Sequence, residues 1–221
     1  MPVILWNFIR PVSVLLHGTI QTGQYISLNL TTDVLRKEET TVQRLTSIDQ
    51  EHATGRAREL LDATKSQLGM VPNLMKTLAS SPAALDSYLH FSNALNHGLL
   101  PAKLRERLNV FIAESNRCQY CASAHTAIGK SVGIQENDLI AARQCVSDDP
   151  KMAAALRFAK AVLEKRGQVA DGEIAMVREA GFGDGEITEI VAHVALNVYT
   201  NYFNNVAHTE VDFPKVELLG V

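Results

Sequence analysis

An all-α fold is predicted by three features of the sequence. From Asp49 onward apolar residues recur at helical spacing, and the apolar–polar alternation of a half-buried strand is nearly absent. Helix starts recur: Ser81-Pro82 and Asp149-Pro150 each pair a capping side chain with a proline at the first helical position, where its missing N–H costs nothing. Helix stops follow at matching distances, at Gly69, Gly98, Gly133, Gly167 and Gly181. The reading is a bundle of about seven or eight helices.

The elements follow in order. Residues 50–68 read as an amphipathic helix, ended by Gly69 and the Val71-Pro72 pair. Ser81 caps a helix that runs to His97. Pro101 opens the next, Ala102 to about Glu114, with Leu104, Leu108, Phe111 and Ile112 on one face. Ser115-Asn116 reads as a break, and a new helix runs from Arg117 to about Ser131. A short helix spans 136–145, and Asp149 caps one that reaches Arg166. Asp171 and Asp184 are read as the caps of the last two, the longer running from Glu186 to about Val206, and Pro214 ends regular structure.

Composition bounds the function. The 221 residues suffice for one domain with its own core, 46% are hydrophobic and 20% charged, and the profile is that of a globular protein. A net charge of −3, from 21 basic and 24 acidic residues, leaves no basic excess for nucleic acid. No run approaches the ~20 apolar residues of a membrane span. Residues 1–32 hold no acid and one base, Arg10, and lack the charge and cleavage pattern of a signal peptide. Residues 1–40 therefore read as an extension of uncertain structure, residues 41–221 as the helical domain, and the location as cytoplasmic.

Three cysteines are too few for a disulfide scaffold. Cys145, alone, reads as a small buried hydrophobe. Cys118 and Cys121 stand three residues apart, with His125 four further on. At 100° per residue, offsets of 0, 3 and 7 project within about 60° of one another, so two sulfurs and an imidazole share one helix face. The first turn of a helix stabilises a thiolate, which favours Cys118, and Arg117 adds a nearby cation. His125 lies one turn after Cys121, within reach of its proton. A redox dithiol is the first reading. Two thiolates and one His also supply three zinc ligands, but no second C-x-x-C follows to close a zinc site. A dithiol that senses redox state without turnover is a further alternative.

A proton relay needs a carboxylate, and spacing leaves two. Glu114 precedes Cys118 by one turn of a continuous helix. Glu106 lies twelve residues before Cys118, about 18 Å along a straight helix, and reaches the thiols only if the chain turns near Ser115-Asn116 and the two helices pack side by side. Solvation at the surface is the plain expectation for either, more so for Glu114. On the last helix His193, Asn197, Asn201 and Asn204 or Asn205 form a polar stripe, read as a buried hydrogen-bonded seam, a pocket lining or an oligomer contact. His90, His97 and His208 read as structural or exposed.

Arg105-Glu106, Cys118-x-Tyr120-Cys121-x-x-x-His125 and the closing Gly133 resemble the AhpD-like, or carboxymuconolactone decarboxylase, family. The similarity extends from Gly69–Asn73 to the segment Asn204–Pro214. The resemblance implies an all-helical, typically oligomeric fold with alkylhydroperoxidase or related thiol–disulfide activity and no bound cofactor or metal. It implies that Glu106 and His125 relay a proton, that Cys121 is the sulfur oxidised by the hydroperoxide, and that Cys118 closes the disulfide. It also implies a dithiol reductant, lipoamide- or thioredoxin-like, or a peroxiredoxin partner. Tyr120 stands where alkylhydroperoxidase D carries a histidine. A tyrosine, with a pKa of ~10, is a poor proton carrier, which implies a shorter relay and slower turnover. The decarboxylases that name the family lack the paired cysteines, so lactone chemistry is not expected.

Overall fold

A computed structural model describes residues 42–220, and the reading of residues 1–40 as an extension lies outside them. Among the described residues there are nine helices and no strand. They are α1 Gly55–Leu68, α2 Asn73–Leu78, α3 Pro82–Asn96, α4 Ala102–Ser115, α5 Gln119–Ser131, α6 Glu136–Arg143, α7 Pro150–Glu164, α8 Asp171–Glu179 and α9 Asp184–Ala207.

The start and stop signals act as read at most positions. Ser81 Oγ accepts from the Ala84 N–H, and Asp149 accepts from the Lys151 and Met152 N–H groups. Gly69 adopts the left-handed conformation at φ 77° and bonds back to the Lys65 carbonyl. Four expectations change. The first helix begins at Gly55, because φ 53° there interrupts the right-handed path and leaves 49–53 as a separate turn. The extra helix, α2, has six residues, too few to show a periodicity. Asp171 and Asp184 are not the caps: Glu173 reaches back to the Ala170 N–H and Glu186 to the Gly183 N–H. The aspartates instead occupy the first turns, where a negative charge meets the free N–H groups. The dithiol helix begins at Gln119 rather than Arg117, with Cys118 as its N-cap.

Two apolar clusters hold the bundle. One joins α4, α7 and α9 through Leu108, Ile112, Leu156 and Ile190, all with essentially no exposure. The other joins α1, α2 and α3 to the start of α5, and holds Leu61, Leu78 and Leu85 together with Cys118 and Cys121. After α9 the chain has no further helix through residue 220. This tail packs back on the second cluster through Val211, Phe213, Val216 and Leu218. The Val216 N–H donates to Ser123 Oγ and the Leu219 N–H to Glu114 Oε1, which lays the tail along α5.

The turn between α4 and α5 decides the site. Arg117 takes φ 54°, and the next N–H, of Cys118, bonds back to the Ala113 carbonyl at 2.9 Å. A left-handed residue ends α4 and reverses the chain, so α5 lies beside α4.

Candidate active site

Cys118 and Cys121 are joined as a disulfide, with their Cα atoms 5.3 Å apart. As the N-cap, Cys118 accepts the Cys121 N–H on its sulfur at 3.2 Å. Asn204 of α9 donates to Cys121 Sγ at 3.2 Å. Both cysteines are buried, but differently. Cys118 is fully enclosed, whereas Cys121 lines a cavity of about 440 Å³.

His125 and Glu106 line the same cavity. Glu106 Oε2 lies 2.8 Å from His125 Nδ1, although the two residues are 19 apart in sequence. The chain reversal at Arg117 thus does what Glu106 required. Asn109, one turn along α4, donates to Glu106 Oε1 at 3.1 Å and accepts from Asn197 Nδ2 at 2.8 Å. A carboxylate on one ring nitrogen leaves the other free to exchange a proton.

The remaining candidates divide. Glu114 is neither solvated nor near the cavity: it is buried, bonded to Arg143 at 2.6 Å and to the tail through Leu219. Arg117 is exposed, is not part of the cavity wall, and acts through its left-handed backbone. Tyr120 turns its hydroxyl to accept the Leu74 N–H at 3.1 Å and packs edge-on to Phe213. Burial pushes its hydroxyl well above the usual tyrosine range, so it holds its proton. Cys145 is half-buried against the first cluster, and burial likewise raises its thiol.

The α9 stripe splits too. His193 and Asn197 line the cavity, Asn204 reaches the sulfur, and Asn201 accepts from Asn116 at the α4–α5 turn. Burial, with Arg105 next, depresses the His193 imidazole from 6.5 to about 4. Asn109 and Tyr88, which also line the cavity, are not among the residues singled out in the sequence. Asn109 had a signal, since it lies on the Glu106 face of α4 at i+3; Tyr88 had none, because its place depends on how α3 packs. Among the described residues no group of three or more His, Cys, Asp or Glu side chains is arranged to hold a metal, and no helix is long and apolar enough to cross a membrane.

Fold and site define an all-α protein of AhpD-like architecture carrying a paired-cysteine centre. Residues 82–161, from α3 into α7, match the model of the carboxymuconolactone decarboxylase family. Among solved structures, the chain is similar to an alkylhydroperoxidase AhpD-core, peroxidase-related protein from Ralstonia eutropha JMP134. Identity is 24% and the TM-score 0.71, over 77% of this chain and 93% of that one. A peroxidase-related protein from Silicibacter sp. TM1040 gives 20% and 0.66, over 82% and 97%. The debrominase Bmp8 gives 18% and 0.65, over 76% and 91%, and a Cys-to-Ala variant of it has been solved with 2,3,4-tribromopyrrole. At these identities the likeness concerns the fold. The chain matches none of the curated proteins.

Proposed function

We propose that the protein is a thiol-dependent hydroperoxide reductase that works without a metal or bound cofactor. The observation that carries this reading is the meeting of Glu106, His125 and Cys121 at one cavity, with Glu106 bound to the imidazole at 2.8 Å. In the reduced state His125 takes the Cys121 proton, and Glu106 stabilises the imidazolium. The thiolate attacks the terminal oxygen of the hydroperoxide. The O–O bond breaks, Cys121 becomes a sulfenic acid, and the alkoxide takes the proton from His125 and leaves as an alcohol. The Cys118 thiol then displaces water to form the disulfide. A dithiol reductant returns both thiols and is itself oxidised to a disulfide. The sum converts hydroperoxide and dithiol into alcohol, disulfide and water.

Exposure supports Cys121 as the attacking sulfur, since it lines the cavity and Cys118 does not. It also favours a small or arm-borne dithiol such as lipoamide over a thioredoxin-sized surface, because the disulfide is reached through that cavity. A homo-oligomeric state and a cytoplasmic location belong to the same proposal. Light scattering on the full chain tests the first.

The decisive experiment supplies the reduced protein with cumene hydroperoxide and dihydrolipoamide, and follows hydroperoxide loss and thiol count. Peroxide-dependent loss of two thiols per chain, restored by the dithiol, is the expected result. Persistence of both thiols under excess hydroperoxide refutes it. Oxidation without turnover by any reductant identifies a sensing module instead. Since a debrominase shares the fold, a parallel reaction with 2,3,4-tribromopyrrole, read as bromide release, separates peroxide from halide chemistry.

A further inference from the structure

One wall of the cavity carries polar atoms that the proton relay just described does not use. His193 on α9 is only 3% exposed and lines the cavity, yet neither of its ring nitrogens has a hydrogen-bond partner within the protein. One turn further, Asn197 spends its amide donor on Asn109 Oδ1 and on the His193 carbonyl, and its own Oδ1 is left without a donor. Buried polar atoms without partners are rare, because leaving one unpaired costs about 1–3 kcal/mol. Thr126 Oγ1, Asn201 Nδ2, Asn204 Oδ1, Thr209 Oγ1 and Asp212 Oδ1 are unpaired as well, but only His193 and Asn197, on adjacent turns of one helix, belong to the cavity wall, where a ligand group would pair with their three atoms.

The donor and acceptor inventory constrains that group. The charged and titratable groups that act on the imidazole are Arg105 and Glu106 of α4, Glu189 of α9 itself and His125 of α5. Burial dominates and leaves the ring uncharged near neutral pH, with one N–H donor and one bare acceptor. Asn197 Oδ1 adds a second acceptor. The wall therefore asks for a ligand atom that both donates and accepts, as a hydroxyl or hydroperoxyl oxygen does. A carboxylate offers no proton to Asn197, and it would enter a cavity that already holds Glu106. The rest of the cavity is largely apolar, with Leu74, Met75, Leu89, Leu196 and Phe213 among its walls.

We propose that His193 and Asn197 form a specificity-determining anchor, and that the cavity selects an uncharged organic molecule with an apolar body and a hydroxyl-type polar group over a carboxylate of the same shape. This inference rests on the hydroperoxide reading for its biological sense. Under that reading the same pair holds the hydroperoxyl group of the substrate and the hydroxyl of its alcohol product.

The test measures binding rather than turnover. The oxidised full chain is titrated at pH 7.5, by calorimetry or NMR, with 2-phenyl-2-propanol and with 2-methyl-2-phenylpropanoate. The alcohol is expected to bind about tenfold or more tightly than the carboxylate, the range seen when a buried group is left unpaired. His193→Leu is expected to weaken alcohol binding by about tenfold for the same reason, while His193→Gln, which keeps a donor and an acceptor, stays within about threefold. Equal affinity for the two probes, no alcohol binding at all, or unchanged binding in His193→Leu overturns the proposal. If that variant does not fold, the wild-type ratio still decides. Cumene hydroperoxide turnover, run in parallel, separates the two claims. Alcohol binding that depends on His193 without turnover sinks only the peroxidase, and turnover with binding indifferent to His193 sinks only the anchor.

Discussion

The two ends of α4 each bury a glutamate, and they do opposite things with it. Glu106 and Glu114 are 9% and 2% exposed, so burial does not separate them. Their partners do. Glu114 meets the guanidinium of Arg143 and also accepts the Leu219 N–H, so both its oxygens are committed to holding α6 and the tail in place. Glu106 meets the imidazole of His125, a ring able to gain or lose a proton, and both line the cavity that holds Cys121. A carboxylate locked to a permanent cation is a structural clamp. The same carboxylate on a titratable ring can help move a proton.

Substitutions test this contrast. Cys121→Ser is expected to remove hydroperoxide reduction altogether while the fold is kept, since the change is nearly isosteric; turnover at wild-type rate would move the chemistry elsewhere. Glu106→Gln should lower kcat/KM by about 10²–10⁴, the usual worth of positioned acid–base help, with little change in thermal midpoint. Glu114→Ala should do the reverse. Removing it leaves Arg143 buried and unpaired, at a cost of about 3–5 kcal/mol in chemical denaturation, with turnover per folded molecule kept. If the two variants give the same pattern, the contrast fails.

His193 supplies a pH signature of on the order of 3 kcal/mol, from a folded value of about 4 against 6.5 for the free side chain. The unfolded chain binds this proton more readily, so its part of the stability is whole above pH 6.5 and is lost as pH falls toward 4. Denaturant midpoints measured across that window should drop less in His193→Gln than in wild type. The smallest effect is expected of Tyr120→Phe. It orphans the Leu74 N–H at a cost of about 1 kcal/mol and leaves the rate intact, because a hydroxyl that holds its proton is no relay. A large fall in rate would place Tyr120 in the proton path.

Much of the fold was legible because helix signals are local. Ser81-Pro82 and Asp149-Pro150 mark α3 and α7 within the few residues that form the cap. The misplaced caps at Asp171 and Asp184 show the limit, since a glutamate reaching back from the third position displaces a nearby aspartate. Helix α2 was illegible because six residues give less than two turns of pattern.

The sequence alone determined what lies within one helix. Cys121 and His125, one turn apart, share a face by helical geometry, and Cys118 stands immediately before that helix as its N-cap. Spacing could name two glutamates but not choose between them, because the choice depended on whether the chain reversed between α4 and the dithiol helix; only the family resemblance favoured Glu106. Tertiary structure made that choice through a single left-handed residue, Arg117, which folds α5 back along α4. The same packing brought Asn109, His193 and Asn204 to the cavity and the sulfur from segments up to 83 residues from Cys121. Helical geometry is set by neighbours along the chain, whereas a cavity is set by how separate helices meet, and only the second decides which buried polar groups find partners.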